Sequence, residues 1–390
     1  MSFSNNRAAL LIAGALLATS ACGGNGSVPF SAGAGAPSAA SQSSIPQTIG
    51  VVPSDNTSIL KRLDKDVTIG STVDPKNGDK GPHAITVVRA SFGLKIGQLV
   101  VCNFADKAGT AGRGSTIEVL DPLPGSKPVR FTQNKEILGC VGDALDAGND
   151  VYGAGWATHK VEKFDQDGES LKLYGTPISV PFNNADAYCN EPYAPEDMYV
   201  SDAKTGGIVK FADGLYGNPH EVEVISGFGV NHGKGWSGLG PAGIQYNAIK
   251  HGSLCNDTLY IVDGVDNTVV AISNASSLLV VNEIVVQPGG KTFTCKYPKT
   301  TCGKLVYSGA PLNAPYATTL LPNGNLIVAN TAGGNTLVEL TPAGLVLATK
   351  NLDASSTAHI YGLASIGTTD KNTRVYYTTT ADNTVHELVP

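Results

Sequence analysis

Short runs of alternating apolar and polar residues, rich in β-branched side chains, recur along most of this chain and are separated by Gly, Asn, Asp and Pro. GNLIVAN (residues 324–330) and NTLVEL (335–340) read as one β-hairpin around the turn TAGG. The same arrangement returns five more times: GQLVVCN with STIEVL, NDVYGAG with HKVEKF, EDMYVSD with GGIVKF, DTLYIVD with NTVVAIS, and TRVYYTT with NTVHELV. A further strand precedes each hairpin and carries a small residue near its start, at Ala84, Ala144, Ala187, Gly243, Ala317 and Gly362. Six copies of a unit of about 45 residues with variable insertions match the four-stranded blade of a β-propeller. The pattern therefore predicts an all-β fold, a six-bladed β-propeller over residues 58–390. The sixth copy stops at Pro390, after its third strand. An open blade edge would invite pairing with another chain. SILKRLDKDVTIG (residues 58–70) is the expected donor of the missing outer strand.

Composition agrees with many short strands and tight turns: 46 Gly and 22 Pro, with only 15% of residues charged. The net charge is −6 and the longest basic run is the pair Lys61-Arg62, which excludes a nucleic-acid surface. At the N-terminus, Arg7 precedes the apolar run AALLIAGALLA (residues 8–18), too short to span a bilayer and suited to a signal peptide. The following TSAC resembles the lipobox of bacterial lipoproteins. That resemblance implies a signal peptide over residues 1–21 and a lipidated Cys22 as the mature N-terminus. With Gly23 next, it also implies an outer-membrane lipoprotein, periplasmic or surface-facing; plain secretion is the alternative. Residues 22–57 are Gly, Ala, Ser and Pro for much of their length and read as a flexible linker.

Beyond Cys22 there are six cysteines, an even number that in an exported chain favours disulfides. Cys295 and Cys302 flank KYPKTT and suit a local bridge. Blade order brings Cys102 near Cys140 on one face and Cys189 near Cys255 on the other. Isolated buried thiols are the alternative; metal ligation lacks any CxxC spacing.

TLYIVDGVDNTVVAIS and NLIVANTAGGNTLVELTPAG resemble NHL-type repeats and the gluconolactonase-like six-bladed propellers. In those propellers a divalent cation at the channel mouth activates substrate or water, so the resemblance implies chemistry there. Two columns of residues are expected at that mouth. His83, Asp143, Asp186, Ala242, Tyr316 and Tyr361 stand just before the small residues of the first strands; Asn103, Gly155, Asp202, Asp263, Asn330 and Thr379 end the second strands. Asp143, Asp186, Asp202 and Asp263 are the candidate ligands for a hard cation such as Ca²⁺. Turn chemistry explains the second column equally, since Asn and Asp accept local backbone hydrogen bonds. His232 and Trp236, in GFGVNHGKGWSGLGP, sit in a Gly-rich loop that either binds a ligand or covers the channel. No G-x-S-x-G elbow offers a serine nucleophile.

The reading that follows is an envelope-anchored, non-catalytic propeller with no required cofactor, monomeric, binding a ligand or an envelope protein and touching the membrane only through its anchor. The alternative is a metal-dependent lactone or ester hydrolase, or a lyase, at the channel mouth.

Overall fold

Each run is long enough to bury a β-branched stripe and each turn short enough to reverse the chain, so the runs pair into antiparallel sheets. The computed structural model describes residues 56–187, 197–212, 220–231, 239–251 and 254–390. Residues 1–55, with Cys22, and also Cys189, His232 and Trp236 lie outside the described residues, as do the side chains of Asp186 and Cys255.

Strand β1 (Lys65–Ser71) comes first in the chain and belongs to the last blade. The first blade is β2 (Lys80–Val87), β3 (Leu99–Ala105), β4 (Thr116–Leu120) and β5 (Val129–Gln133). The second is β6 (Cys140–Leu145), β7 (Val151–Gly155), β8 (Lys160–Phe164) and β9 (Ser170–Tyr174). The third is β10 (Pro181–Ala187), β11 (Asp197–Asp202), β12 (Gly207–Ala212) and β13 (His220–Ser226). The fourth takes β14 (Ile244–His251), β15 (Leu254–Asp263), β16 (Thr268–Ser273) and β19 (Gly303–Ser308), with β17 (Ile284–Val286) and β18 (Phe293–Cys295) inserted. The fifth is β20 (Pro315–Leu320), β21 (Leu326–Asn330), β22 (Thr336–Leu340) and β23 (Val346–Asn351). The sixth is β24 (Ile360–Ile366), β25 (Arg374–Thr379) and β26 (Thr384–Val389), completed by β1.

The innermost strands β2, β6, β10, β14, β20 and β24 touch in that order, and β24 touches β2. The ring is closed. Apolar side chains fill the spaces between sheets: Ile85, Val101 and Leu120 of the first blade meet Ala364, Tyr376 and Val385 of the sixth. Each fully buried aliphatic chain stabilises the fold by about 1.5–3 kcal/mol.

The closing strand is where the pattern puts it. β1 pairs antiparallel with β26 from Lys65↔Val389 to Ser71↔Thr384. Only the second half of the expected donor segment forms this strand. Its first half docks on the fifth blade, where the buried Glu339 carboxylate accepts from Ser58 Oγ (2.5 Å), Ile59 N (3.1 Å) and Leu60 N (2.9 Å). Ile59, Leu60 and Leu63 are buried beside it.

The insertion in the fourth unit leaves its own blade. β17 pairs in parallel with the outer edge of the third blade (Ile225↔Ile284), and β18 pairs with β17, so the third sheet has six strands. Two of the expected disulfides are present, Cys102–Cys140 and Cys295–Cys302, with Cα atoms 5.2 and 5.5 Å apart. The first joins neighbouring blades across 38 residues, a separation at which loop entropy stabilises by about 4 kcal/mol. The third expected pair, Cys189–Cys255, lies outside the described side chains.

Candidate functional site

A blade's innermost strand starts, and its second strand ends, at one mouth of the central axis. In the first blade Pro82 faces Asn103 and Ala84 faces Cys102, which leaves His83 bulged out of the ladder. Tyr316 has the same place between Pro315↔Asn330 and Ala317↔Ala329, and Tyr361 follows Ile360↔Thr379. Ala242 is the equivalent in the fourth blade, its amide donating to Val262 O (2.8 Å). In the second blade, however, the bulged residue is Val141, between Cys140↔Gly155 and Gly142↔Ala154. In the third it is Phe182, after Pro181↔Asp202. Asp143 and Asp186 stand two and four residues farther along, paired with Gly153 and Met198.

The reason for this correction is steric. A small residue follows the bulge because the next blade's backbone approaches: a Cβ on Gly142 would lie 2.6 Å from Phe182 O, and one on Gly243 would lie 2.6 Å from Tyr316 O. Gly142, not Ala144, fills that role in the second blade. Asn183 takes the position in the third, its amide donating to the Ser201 hydroxyl (3.0 Å). No small residue marks it.

Four of the six residues in the bulged column, His83, Phe182, Tyr316 and Tyr361, are therefore aromatic. His83 packs 4.3 Å from both Phe104 and Tyr361; Tyr361 meets Tyr316 at 5.0 Å, Tyr316 meets Phe182 at 4.6 Å, and Phe182 meets Trp156 at 6.4 Å between ring centroids. Tyr316 and Phe182 reach each other across the fourth blade's place because Ala242 leaves room there. Burial pushes the His83 imidazole down to about 3, so the ring is neutral. Burial likewise pushes the Asp143 carboxyl well above the ordinary range. Asp143 Oδ2 has no hydrogen-bond partner among the described residues.

In the first, third and fifth blades the second column clamps the entering chain. Asn103 Nδ2 donates to Thr72 O (2.8 Å), and Asp202 accepts from Val180 N (3.1 Å). Asn330 accepts from Asn313 N (3.0 Å) and donates to Pro311 O (2.9 Å). Asp202 also takes the amides of Lys204 and Thr205, and Asp263 accepts from Val265 N (2.9 Å). Burial raises the Asp263 carboxyl to about 7. Gly155 has no side chain to offer, and Thr379 accepts from Ala381 N (3.2 Å). Among the described residues no three His, Cys, Asp or Glu side chains converge as a metal site.

Beside the aromatic column, over the first and second blades, opens a cavity of about 780 Å³ lined by Phe104, Leu138 and Trp156, with Asp106, Arg113 and His159 at its rim. That volume suits a small organic ligand. A backbone ladder sets its width: Gly114 N donates to Phe104 O (2.9 Å), Gly139 N to Gly114 O (2.7 Å), and Trp156 N to Gly139 O (3.0 Å). Both glycines are required. A Cβ on Gly114 would lie 2.3 Å from Asn103 O, and Gly139 has a φ of +68°. The Cys102–Cys140 bridge lies directly behind, two residues from Phe104 and one from Gly139. Phe104 is buried, Trp156 half-buried, and Arg113 and His159 are exposed. Asp106 is held below the usual carboxylate range by the Thr110 amide and by the Arg113 charge. Arg113 forms no ion pair among the described residues.

Phe104 and Trp156 each follow a second-column residue, Asn103 and Gly155. Reading one position further along each second strand would have found them.

No family model and no curated protein matches this sequence. Among solved structures, a gluconolactonase from Xanthomonas campestris superposes with a TM-score of 0.52 at 11% identity, over 84% of this chain and 91% of that one. A virginiamycin B lyase from Staphylococcus aureus gives 0.47 at 13% identity, over 84% and 98% of the two chains. With its six closed sheets, and as the gluconolactonase superposition agrees, the chain is a six-bladed β-propeller.

Proposed function

We propose that this propeller is an envelope-anchored binding protein whose ligand is a small molecule with an apolar ring and an anionic group, held over the first and second blades. One observation carries the reading: Phe104, Trp156 and Arg113 line one cavity, and Arg113 forms no ion pair among the described residues. A ring packs on Phe104 and Trp156, gaining apolar burial and ring contact. Arg113 then meets the anion, with a planar donor pair suited to a carboxylate or sulfonate.

Naphthalene-2-sulfonate is a suitable probe, read by tryptophan fluorescence and calorimetry. Trp156→Ala should weaken its binding at least tenfold in a protein that still folds but melts lower, because Trp156 packs on the core. Arg113→Gln should weaken it about tenfold, corresponding to about 1.4 kcal/mol, with thermal unfolding unchanged. Equal affinity in the parent and in Trp156→Ala would place the ligand elsewhere.

A hydrolase or lyase is the competing reading, carried by the buried Asp143 carboxyl two residues inward of the mouth position. Turnover of a lactone or aryl ester with Ca²⁺, Mg²⁺ or Zn²⁺ that disappears in folded Asp143→Ala would replace the binding reading. Anchoring rests on the apolar run ending at Cys22. Cys22→Ser should move the protein from the membrane fraction to the soluble fraction, and retention would count against a lipid anchor.

A further inference from the structure

Far along the chain from the pocket, the insertion that joins the third blade ends in an exposed apolar tip. Leu279, Val280 and Val281 are 68%, 37% and 57% exposed, and Tyr297 beside them is 54% exposed. Three consecutive aliphatic side chains in solvent cost free energy unless something covers them. They are not left out by slackness. The buried Glu283 carboxylate accepts the amides of Leu279 (3.0 Å) and Val280 (3.2 Å), and Asn282 N donates to Glu223 O (2.9 Å). The Lys296 ammonium donates to Val281 O (2.7 Å), which ties the tip to the loop closed by Cys295–Cys302. That loop is itself fastened below, by Ser277 Oγ to Thr301 Oγ1 (2.7 Å) and Asn274 Nδ2 to Thr300 O (2.5 Å). The frame presents the apolar residues outward.

Charge names the partner. Residues 287–304 hold four lysines, Lys291, Lys296, Lys299 and Lys304, and no acidic residue, in a chain of net charge −6. Lys296 bonds the tip, and Lys296, Tyr297 and Lys299 are exposed in the loop that it opens. Aliphatic side chains at a tip, a tyrosine and lysines behind them make the composition that enters a bilayer interface: apolar groups reach the acyl boundary, the phenol sits among headgroups, and the ammonium groups meet lipid phosphates.

We propose that this tip is a second, reversible membrane contact, specific for anionic lipid, formed by the folded body independently of any acyl anchor and of the ligand pocket. Flotation of the full chain carrying Cys22→Ser, which removes any acyl chain, tests it with two vesicle types. Vesicles of phosphatidylglycerol and phosphatidylethanolamine should carry the protein up, and vesicles of phosphatidylcholine alone should carry at least tenfold less. Replacing Leu279, Val280 and Val281 together by Ser should abolish binding with thermal unfolding little changed, because these side chains are exposed. Lys296→Gln with Lys299→Gln should lower it by about twenty-five-fold, at about fivefold per lysine near an anionic surface. Binding that ignores lipid charge would overturn the proposal, as would binding that survives the triple Ser substitution. A concentration-dependent dimer that the Ser substitutions dissolve would overturn it in favour of contact between two copies of the chain.

Discussion

At His386 two effects oppose each other. Burial disfavours the charged ring, but Asp66, 2.9 Å from Nδ1, and Asp382, 3.7 Å from Nε2, outweigh it and raise the imidazole above its ordinary value. Burial works against the Asp66 charge too, yet hydrogen bonds from His386 and Tyr377 leave its carboxyl lowered. Asp66 lies on β1, His386 on β26 and Tyr377 on β25, so the trio rivets the closing strand to its blade. A raised folded value means stability that is full below the unfolded value and is lost as pH rises through the folded one; the Asp66 share is lost only in strong acid. The melting temperature should therefore fall as pH rises above the ordinary imidazole value of 6.5, and His386→Gln should flatten that fall. Identical slopes in both proteins would separate this pair from closure. The two outer residues of this trio were invisible as partners in the sequence, since 320 residues separate them.

Among elements, the hairpins were legible because pairing neighbours lie a few residues apart and a strand's alternation is local. The turn from Asn330 to Thr336 shows it: both flanking runs became β21 and β22. The parallel pairing of β17 with β13 was not legible, because its partner is an edge in another blade. A further recurrence passed unnoticed. Lys163, Lys210, Glu339 and Glu387 occupy one register position in the third strands of four blades, opposite Tyr152, Tyr199, Ile327 and Tyr376, and are buried or half-buried. Each ties in a neighbouring segment, as Lys210 does with Asp197 (2.7 Å) and Glu387 with Arg374 (2.8 Å). Burial and the neighbouring Asp74 drive Glu118 up to about 9, a neutral acid at pH 7. At Glu339 the tied segment is the chain's approach to β1, so Glu339→Ala strips the acceptor from Ser58, Ile59 and Leu60. The expected loss is about 3 kcal/mol by urea unfolding. A loss under about 1 kcal/mol would mean that this segment is not held there.

For the whole molecule, the ring depends on closure, and closure joins residues from opposite ends of the chain. Number and order of blades, the closing segment and the two observed disulfides could all be read from the chain, because each follows from a local period repeated six times and from the requirement that no sheet edge stay open. Which side chains face the axis could not. A bulge at the start of the inner strand shifts the register by one residue, and its place is set by the neighbouring blade's backbone, as Gly142 against Phe182 shows. Val141 and Phe182 consequently hold the register position of His83, and Asp143 and Asp186 stand two and four residues farther along. The pocket was equally hidden. Phe104 and Trp156 are 52 positions apart, and only the packing of two blades, joined by the Gly114–Gly139 ladder and the Cys102–Cys140 bridge, makes them one floor. Periodicity is a property of one strand at a time, so the sequence determined the blades. A site belongs to surfaces that meet, and the tertiary structure alone decided that.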